Sequence, residues 1–214
     1  EKPAQAAPAG KRRSRTPATA NGVLSGRNTG SGYARVEADF YREPRWSVEL
    51  LFDALPDIQG PIYDPAAGTG TIPDVARARG YHAYGSDLVD RGCDRVVSGI
   101  DFLQGPIRTE PGTIAANPPF AVAQEWLIRS LMHFPHRICL LLPSTFLWSQ
   151  RRYALFTRIA PPEAVVVVSK RPSLPPGHLD PETASGGTQE YAWFVWNTAL
   201  PAGHRCGLNW ALPK

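Results

Sequence analysis

The feature that most constrains the fold is a strand, a glycine turn and a helix in immediate succession. Residues 61–80, PIYDPAAGTGTIPDVARARG, run from a short apolar strand through a turn carrying Gly68 and Gly70 into a helical stretch that stops at Gly80. HAYGSDL, at 82–88, then reads as a second strand. A strand, helix, strand run of this length predicts a right-handed crossover between parallel strands. The alternation continues downstream: GTIAANPPF supplies a strand, AQEWLIRSLMHF a helix, RICLLLP a strand and QRRYALFTRIA a helix, before two strands in EAVVVVS and YAWFVWN. Upstream, Val48, Leu51, Phe52 and Leu55 fall at helical spacing after Pro44. The expected class is α/β, a mostly parallel sheet with helices on both faces. Ligands of such sheets bind at the carboxyl ends of the strands.

A chain of 214 residues, 43% hydrophobic, can bury one sizeable core and is expected to form one domain. From Glu1 to Arg35, small and polar residues are mixed with Lys11, Arg12, Arg13, Arg15 and Arg27 without apolar periodicity. Such a stretch cannot offset its ordering entropy, so residues 1–35 are expected to be a disordered basic tail. The ordered domain then covers 36–214, with the Pro- and Gly-rich stretch 170–190 as a flexible loop. The net charge of +4 favours a polyanionic partner. Cys93, Cys139 and Cys206 form no C-x-x-C pair and are odd in number, which fits a reducing, cytoplasmic setting. His204 and Cys206 lack a second pair at zinc spacing, so no metal is expected. No apolar run approaches the roughly 20 residues of a membrane-spanning helix.

The unusual residues gather at the strand ends. In DPAAGTG, Gly68 and Gly70 allow a tight turn and a close approach of backbone to ligand, and Asp64 offers a carboxylate to a cation or hydroxyl. Asp87 follows about 20 residues after that turn, the separation at which an acidic side chain takes ribose hydroxyls. The third glycine of a dinucleotide fingerprint is replaced by the Thr71, Ile72, Pro73 run, which disfavours a nicotinamide cofactor. Asp101 and Phe102, read at the end of a further strand, suit an exocyclic amine and a purine face. In Asn117-Pro118-Pro119-Phe120, the Asn117 amide oxygen and the Pro118 carbonyl can accept both hydrogens of a conjugated amine. The two prolines stiffen that geometry, and Phe120 can stack on an extruded base.

Taken in order, DPAAGTG, SDL, DF and NPPF resemble the class I S-adenosylmethionine-dependent amino-methyltransferases, specifically the DNA adenine N6 methyltransferases, over residues 39–200. PSTFLWSQRRYALF, SKRPSLPPG and YAWFVW resemble small methyltransferases of bacteriophages and prophages. The resemblance implies a seven-stranded sheet whose last strand is antiparallel. It implies that Tyr41, Asp64, Pro65, Ala66, Gly68 and Gly70 hold the methionine end of S-adenosyl-L-methionine, Asp87 and Leu88 its ribose, and Asp101 and Phe102 its adenine. Asn117 to Phe120 would be the catalytic motif, with Asn117 also at the cofactor. Glu43, in DFYREPRW, stands where many members carry threonine.

The reaction implied is direct methyl transfer, with no covalent intermediate. A cytosine C5 enzyme needs a nucleophilic thiol, typically after a proline, and none of the three cysteines follows one. The N-P-P-aromatic motif also serves enzymes that methylate protein glutamine or RNA bases, and a non-catalytic cofactor-binding partner subunit is a further alternative. Arg151, Arg152, Lys170 and Arg171 are the candidate phosphate contacts that favour nucleic acid, most simply DNA.

Overall fold

Parallel strands buried on both faces dominate the molecule, as a computed structural model describes it over residues 40–107, 112–133, 135–184, 187, 189–201 and 204–211. The basic tail expected at 1–35 lies outside these residues. In chain order the elements are α1 (Arg45–Ala54), β1 (Ile62–Asp64), α2 (Thr71–Ala78), β2 (Ala83–Ser86), β3 (Val96–Val97), β4 (Thr113–Ala116), α3 (Ala123–Leu131), β5 (Arg137–Pro143), β6 (Ala164–Val168), β7 (Tyr191–Asn197) and β8 (Gly207–Ala211). One sheet holds all eight strands in the order β3-β2-β1-β4-β5-β7-β6-β8. Only β7 runs antiparallel, inserted between β5 and β6.

Period-two alternation divides the core into two layers. Ile62, Ala115, Cys139, Leu141, Val166 and Trp193 face α1 and α2, meeting Val48, Leu51, Phe52, Ile72 and Val75. Tyr63, Ile114, Leu140, Val165 and Phe194 face the other way, onto Trp126 and Leu127 of α3. The Trp193 indole donates to the Ser47 carbonyl at 2.8 Å, tying α1 to the middle of the sheet.

The expected seven strands become eight. β8 joins the sheet edge parallel to β6, so the antiparallel strand is the last but one in the chain. Leu208 of β8 is exposed, and a half-solvated edge strand leaves little apolar pattern to read. The helix expected in QRRYALFTRIA is instead a 3-10 turn at Gln150–Arg152 and a π-helical turn at Leu155–Ile159. The Thr157 hydroxyl donates to the Tyr153 carbonyl at 2.7 Å, and the Ala160 amide reaches back five residues to the Leu155 carbonyl. A side chain competing for the i−4 carbonyl in this way disturbs a regular helix. Asp101 opens a turn rather than ending a strand, because β3 stops at Val97.

The stretch read as a flexible loop is tied down at several points. Residues 172–176 are buried, and the Arg42 and Gly177 amides donate to the Pro175 and Phe40 carbonyls, each at 3.0 Å. Glu182 accepts from the Arg45 amide at the first turn of α1.

Strand order reverses between β1 and β4. From β1 the chain steps outward to β2 and β3, and then restarts on the opposite side with β4 and β5. A crevice is therefore expected beyond the carboxyl ends of β1 and β4.

Candidate functional site

Asp64 ends β1 almost wholly buried, and one of its oxygens accepts the Ala66 amide at 3.0 Å. That bond starts the turn. Gly68 and Gly70 continue it at φ +53° and +91°, the left-handed region that L side chains avoid. The Gly68 amide then crosses to Asp87 at the end of β2, donating to Oδ2 at 2.9 Å, while Asp87 Oδ1 accepts the Val89 amide at 2.9 Å. Asp87 thus braces both strand-end loops, and each of its oxygens keeps a further lone pair for a ligand.

Between these loops and the end of β4 lies a cleft of about 410 Å³, within the roughly 300–1,000 Å³ usual for small-molecule sites. Of the residues expected to hold a cofactor, Tyr41, Pro65, Ala66, Gly68, Asp87, Leu88, Asp101, Phe102 and Asn117 line it. Asp64 and Gly70 lie behind the wall and shape the turn. Asp101 Oδ1 is occupied by the Leu103 and Gln104 amides at 2.9 and 3.2 Å, which leaves Oδ2 as the oxygen available to a ligand. Phe102 reaches the cleft but is mainly a core ring, 4.5 Å from Trp126 and 5.0 Å from His133 between centroids.

Asn117 follows directly on β4. Its Nδ2 donates to the Tyr41 carbonyl at 2.9 Å and to Glu43 Oε2 at 3.0 Å. Pro119 lines the cleft with φ −56°, whereas Pro118 is buried and off the wall. Phe120 is also off the wall, its ring 5.6 Å from Tyr191 at the start of β7.

The electrostatics are acidic. Glu43, Asp87 and Asp101 line the cleft with Asp64 just behind, against two cations on the wall, Arg42 and Arg91. Burial pushes the Glu43 carboxyl above its ordinary range against the opposing pull of Asn117. Burial raises Asp64 well above its range, and the nearby Glu43 and Asp87 charges add to this. Unsatisfied negative charge of this kind favours a cationic ligand. Burial holds the Cys139 thiol up at about 12 and also raises Cys206, so neither is a thiolate near neutral pH.

The four candidate phosphate contacts follow β5 and β6, two parallel strands that end on the same edge of the sheet as β4. Arg151 is exposed. Lys170 is exposed too, its Nζ 4.9 Å from the Trp46 ring centre. Arg171 pairs with Glu190 at 2.8 Å in an exposed ion pair, so that carboxylate competes with a phosphate for its guanidinium. Arg152 is built into the fold: its guanidinium donates to the Phe146 carbonyl at 2.8 Å and lies 4.3 Å from the Phe146 ring centre.

Sequence reasoning passed over several parts of this wall. Phe40, Arg42, Arg91 and Trp126 all line it. The Phe40 ring seats beside Gly68, where a Cβ would come within 2.6 Å of it, and carries the Arg91 guanidinium 4.1 Å from its centre. Trp126 sits on the apolar face of α3 and reads as core, while Arg91 sits in a loop with no pattern to mark it.

No protein-family model matches the chain, and no curated protein sequence matches it significantly. Solved structures do share its architecture. A candidate RNA methyltransferase from Pyrococcus horikoshii is 15% identical, with a TM-score of 0.52 over 76% of this chain and 89% of that one. A candidate hemolysin from Lactococcus lactis gives 14% identity and a TM-score of 0.52 over 77% and 91% of the two chains. A candidate O-methyltransferase from Agrobacterium tumefaciens gives 12% and 0.50 over 79% and 85%. Together with the strand order, these place the chain in the class I methyltransferase fold.

Proposed function

We propose that this chain transfers a methyl group from S-adenosyl-L-methionine to the exocyclic N6 amine of adenine in DNA, as the resemblance of its motifs implied. The observation that carries the reading is the Asn117 amide, which stands on the wall shared with the Gly68 turn and Asp87. Both of its N–H groups are taken by protein acceptors. Its oxygen is thereby the atom offered to a ligand.

The residues fit the cofactor. Asp87 has lone pairs for two ribose hydroxyls, and Asp101 Oδ2 can accept from the adenine amine. Arg42 and Arg91 suit an α-carboxylate, and the acidic wall suits an ammonium and a sulfonium. When bound, S-adenosyl-L-methionine supplies an activated methyl on that sulfonium. The rest falls to the chain. Asn117 Oδ1 accepts one N–H of the acceptor amine, drawing electron density onto a nitrogen whose lone pair is otherwise delocalised into the base. The motif resemblance assigns the other N–H to the Pro118 carbonyl and the face of the extruded base to Phe120, which stand beside the cleft and not on its wall. Holding donor and acceptor in line does most of the work. The displaced proton leaves to solvent.

Arg151 and Lys170 then meet the phosphates. The 170–190 insertion is too short for a separate recognition domain, and the domain by itself is expected to read a relaxed site, with stricter specificity lent by a partner. Methylation mapping with the isolated protein that returned one strict site of four or more bases would refute the relaxed form.

The test is transfer of labelled methyl to DNA, RNA and a bulk protein extract. The expected product is N6-methyladenine in DNA, reduced about 100-fold or more in Asn117→Ala, the scale seen when one polarising group is removed. Label on RNA or on protein alone would overturn the substrate while keeping the cofactor.

A further inference from the structure

Glu43 is an expensive residue to place where it is. It is 7% exposed, lines the cleft, and shares its surroundings with the buried carboxylates of Asp64 and Asp87. Burial works against its charged form. Its surroundings offset that: Oε2 accepts one N–H of Asn117, whose other N–H goes to the Tyr41 carbonyl, and the Thr71 side chain at the start of α2 also favours the charged form.

We propose that Glu43 is a positioning residue that locks the Asn117 amide with its oxygen, and not its nitrogen, toward the acceptor amine. The proposal rests on the methyl-transfer reading above. A primary amide is nearly symmetric in shape, so a half-turn about its last bond exchanges donor and acceptor with almost no steric cost. The flipped amide would point N–H at N–H and polarise nothing. Here both flanking groups are acceptors, and a flip would trade two hydrogen bonds for two oxygen–oxygen contacts at about 3 Å. Tyr41 supplies a neutral bond, and Glu43 supplies the charge-assisted and stronger one. Both belong to the segment 41–43, which the loop beyond β6 holds through the Arg42 to Pro175 bond. That packed loop therefore helps to fix the catalytic amide from behind.

The test compares Glu43→Ala with Glu43→Gln. A glutamine carbonyl can accept the same N–H without the burial cost of a charge, so this variant is expected to fold at least as well as the wild type. Glu43→Ala should lower kcat about ten- to a hundredfold, the size of losing one bond to a charged group. KM for DNA should change by less than about threefold, as a lesion confined to the transition state requires, and any loss of S-adenosylmethionine affinity should be equal in Glu43→Ala and Glu43→Gln, because both remove one negative charge from the cleft. Glu43→Gln should recover kcat to within about fivefold of the wild type.

A second readout needs no turnover. The Asn117 side-chain NH2 pair in a 15N–1H spectrum, identified by its loss in Asn117→Ala, should show two bonded, slowly exchanging protons in the wild type and in Glu43→Gln. In Glu43→Ala one of them should exchange faster. Unchanged kcat in Glu43→Ala, a loss that Glu43→Gln does not recover, or Asn117 resonances indifferent to Glu43 would each overturn the proposal. If the wild type transfers no methyl, the reaction reading fails, and the spectrum still decides whether Glu43 holds the amide.

Discussion

Adding one methyl group at Gly177 should unseat the wall of the cleft from outside it. Gly177 is not in the left-handed region, so its need for glycine is purely steric: a Cβ there would overlap the edge of the Phe40 ring. The opposite edge of that ring abuts Gly68, and the Arg91 guanidinium lies 4.1 Å from its centre, so the ring can retreat only toward the cleft that it lines. If the loop yields, the Arg42–Pro175 and Gly177–Phe40 main-chain bonds are lost, at about 1 kcal/mol each. If the ring yields, its stacking with Arg91 goes, worth about 0.5–1 kcal/mol together with local packing. Either way Gly177→Ala should cost about 1–3 kcal/mol, the usual range for overpacking. In a domain of this size that lowers Tm by about 2–10 °C. Because Phe40 lines the cleft, affinity for S-adenosylmethionine should fall as well, by about tenfold for each 1.4 kcal/mol passed to the site. Urea denaturation and cofactor titration on Gly177→Ala, Phe40→Ala and the double variant close a cycle. The expected coupling is about 1–3 kcal/mol, since the added methyl is nearly harmless once the ring is gone. A coupling near zero would refute the wedge.

Asp64→Asn should stabilise the fold at neutral pH while keeping an oxygen for the Ala66 amide. Burial first, and then the charges of Glu43 and Asp87, raise the folded-state pKa of Asp64 above 3.8. The stability tied to its protonated form is therefore fully present below pH 3.8 and lost as pH rises through the folded value. Thermal melts of both proteins should accordingly diverge with rising pH and converge near pH 4. An Asp64→Asn melt lying below the wild type at pH 8 would contradict this. Arg151→Glu with Lys170→Glu should weaken DNA binding and lower the slope of log K against log salt by about 2, one unit for each lost phosphate contact. Cofactor affinity should stay unchanged; an unaltered slope in fluorescence anisotropy would remove both residues from the DNA path.

Local pattern made most of this frame legible. The turn at 64–70 and the strands at 113–116, 137–143, 164–168 and 191–197 follow from apolar runs punctuated by glycine and proline, and those signals need no distant partner. The misses share a cause. β8 is an edge strand whose pairing with β6 depends on a neighbour about 40 residues away. Leu174 lies in a stretch rich in Pro and Gly and reads as loop, yet it is buried because 172–176 lie against 40–42. Glu43 was visible as an oddity, but its role depends on Asn117, 74 residues on, and no local spacing carries that contact. The QRRY cluster made Arg152 a candidate phosphate contact, whereas the Phe146 carbonyl and ring engage its guanidinium.

The measurement that bears most directly on the central claim is calorimetric titration of S-adenosylmethionine into the wild type and into Asp87→Ala, with the Tm of each recorded. Asp87 joins the Gly68 turn to the end of β2 and offers its remaining lone pairs to the cleft. One binding event per chain is predicted, weakened about tenfold or more in the variant, as expected when hydrogen bonds to a charged group are lost. No binding to the wild type, or equal affinity in the two proteins, would contradict the assignment of this cleft.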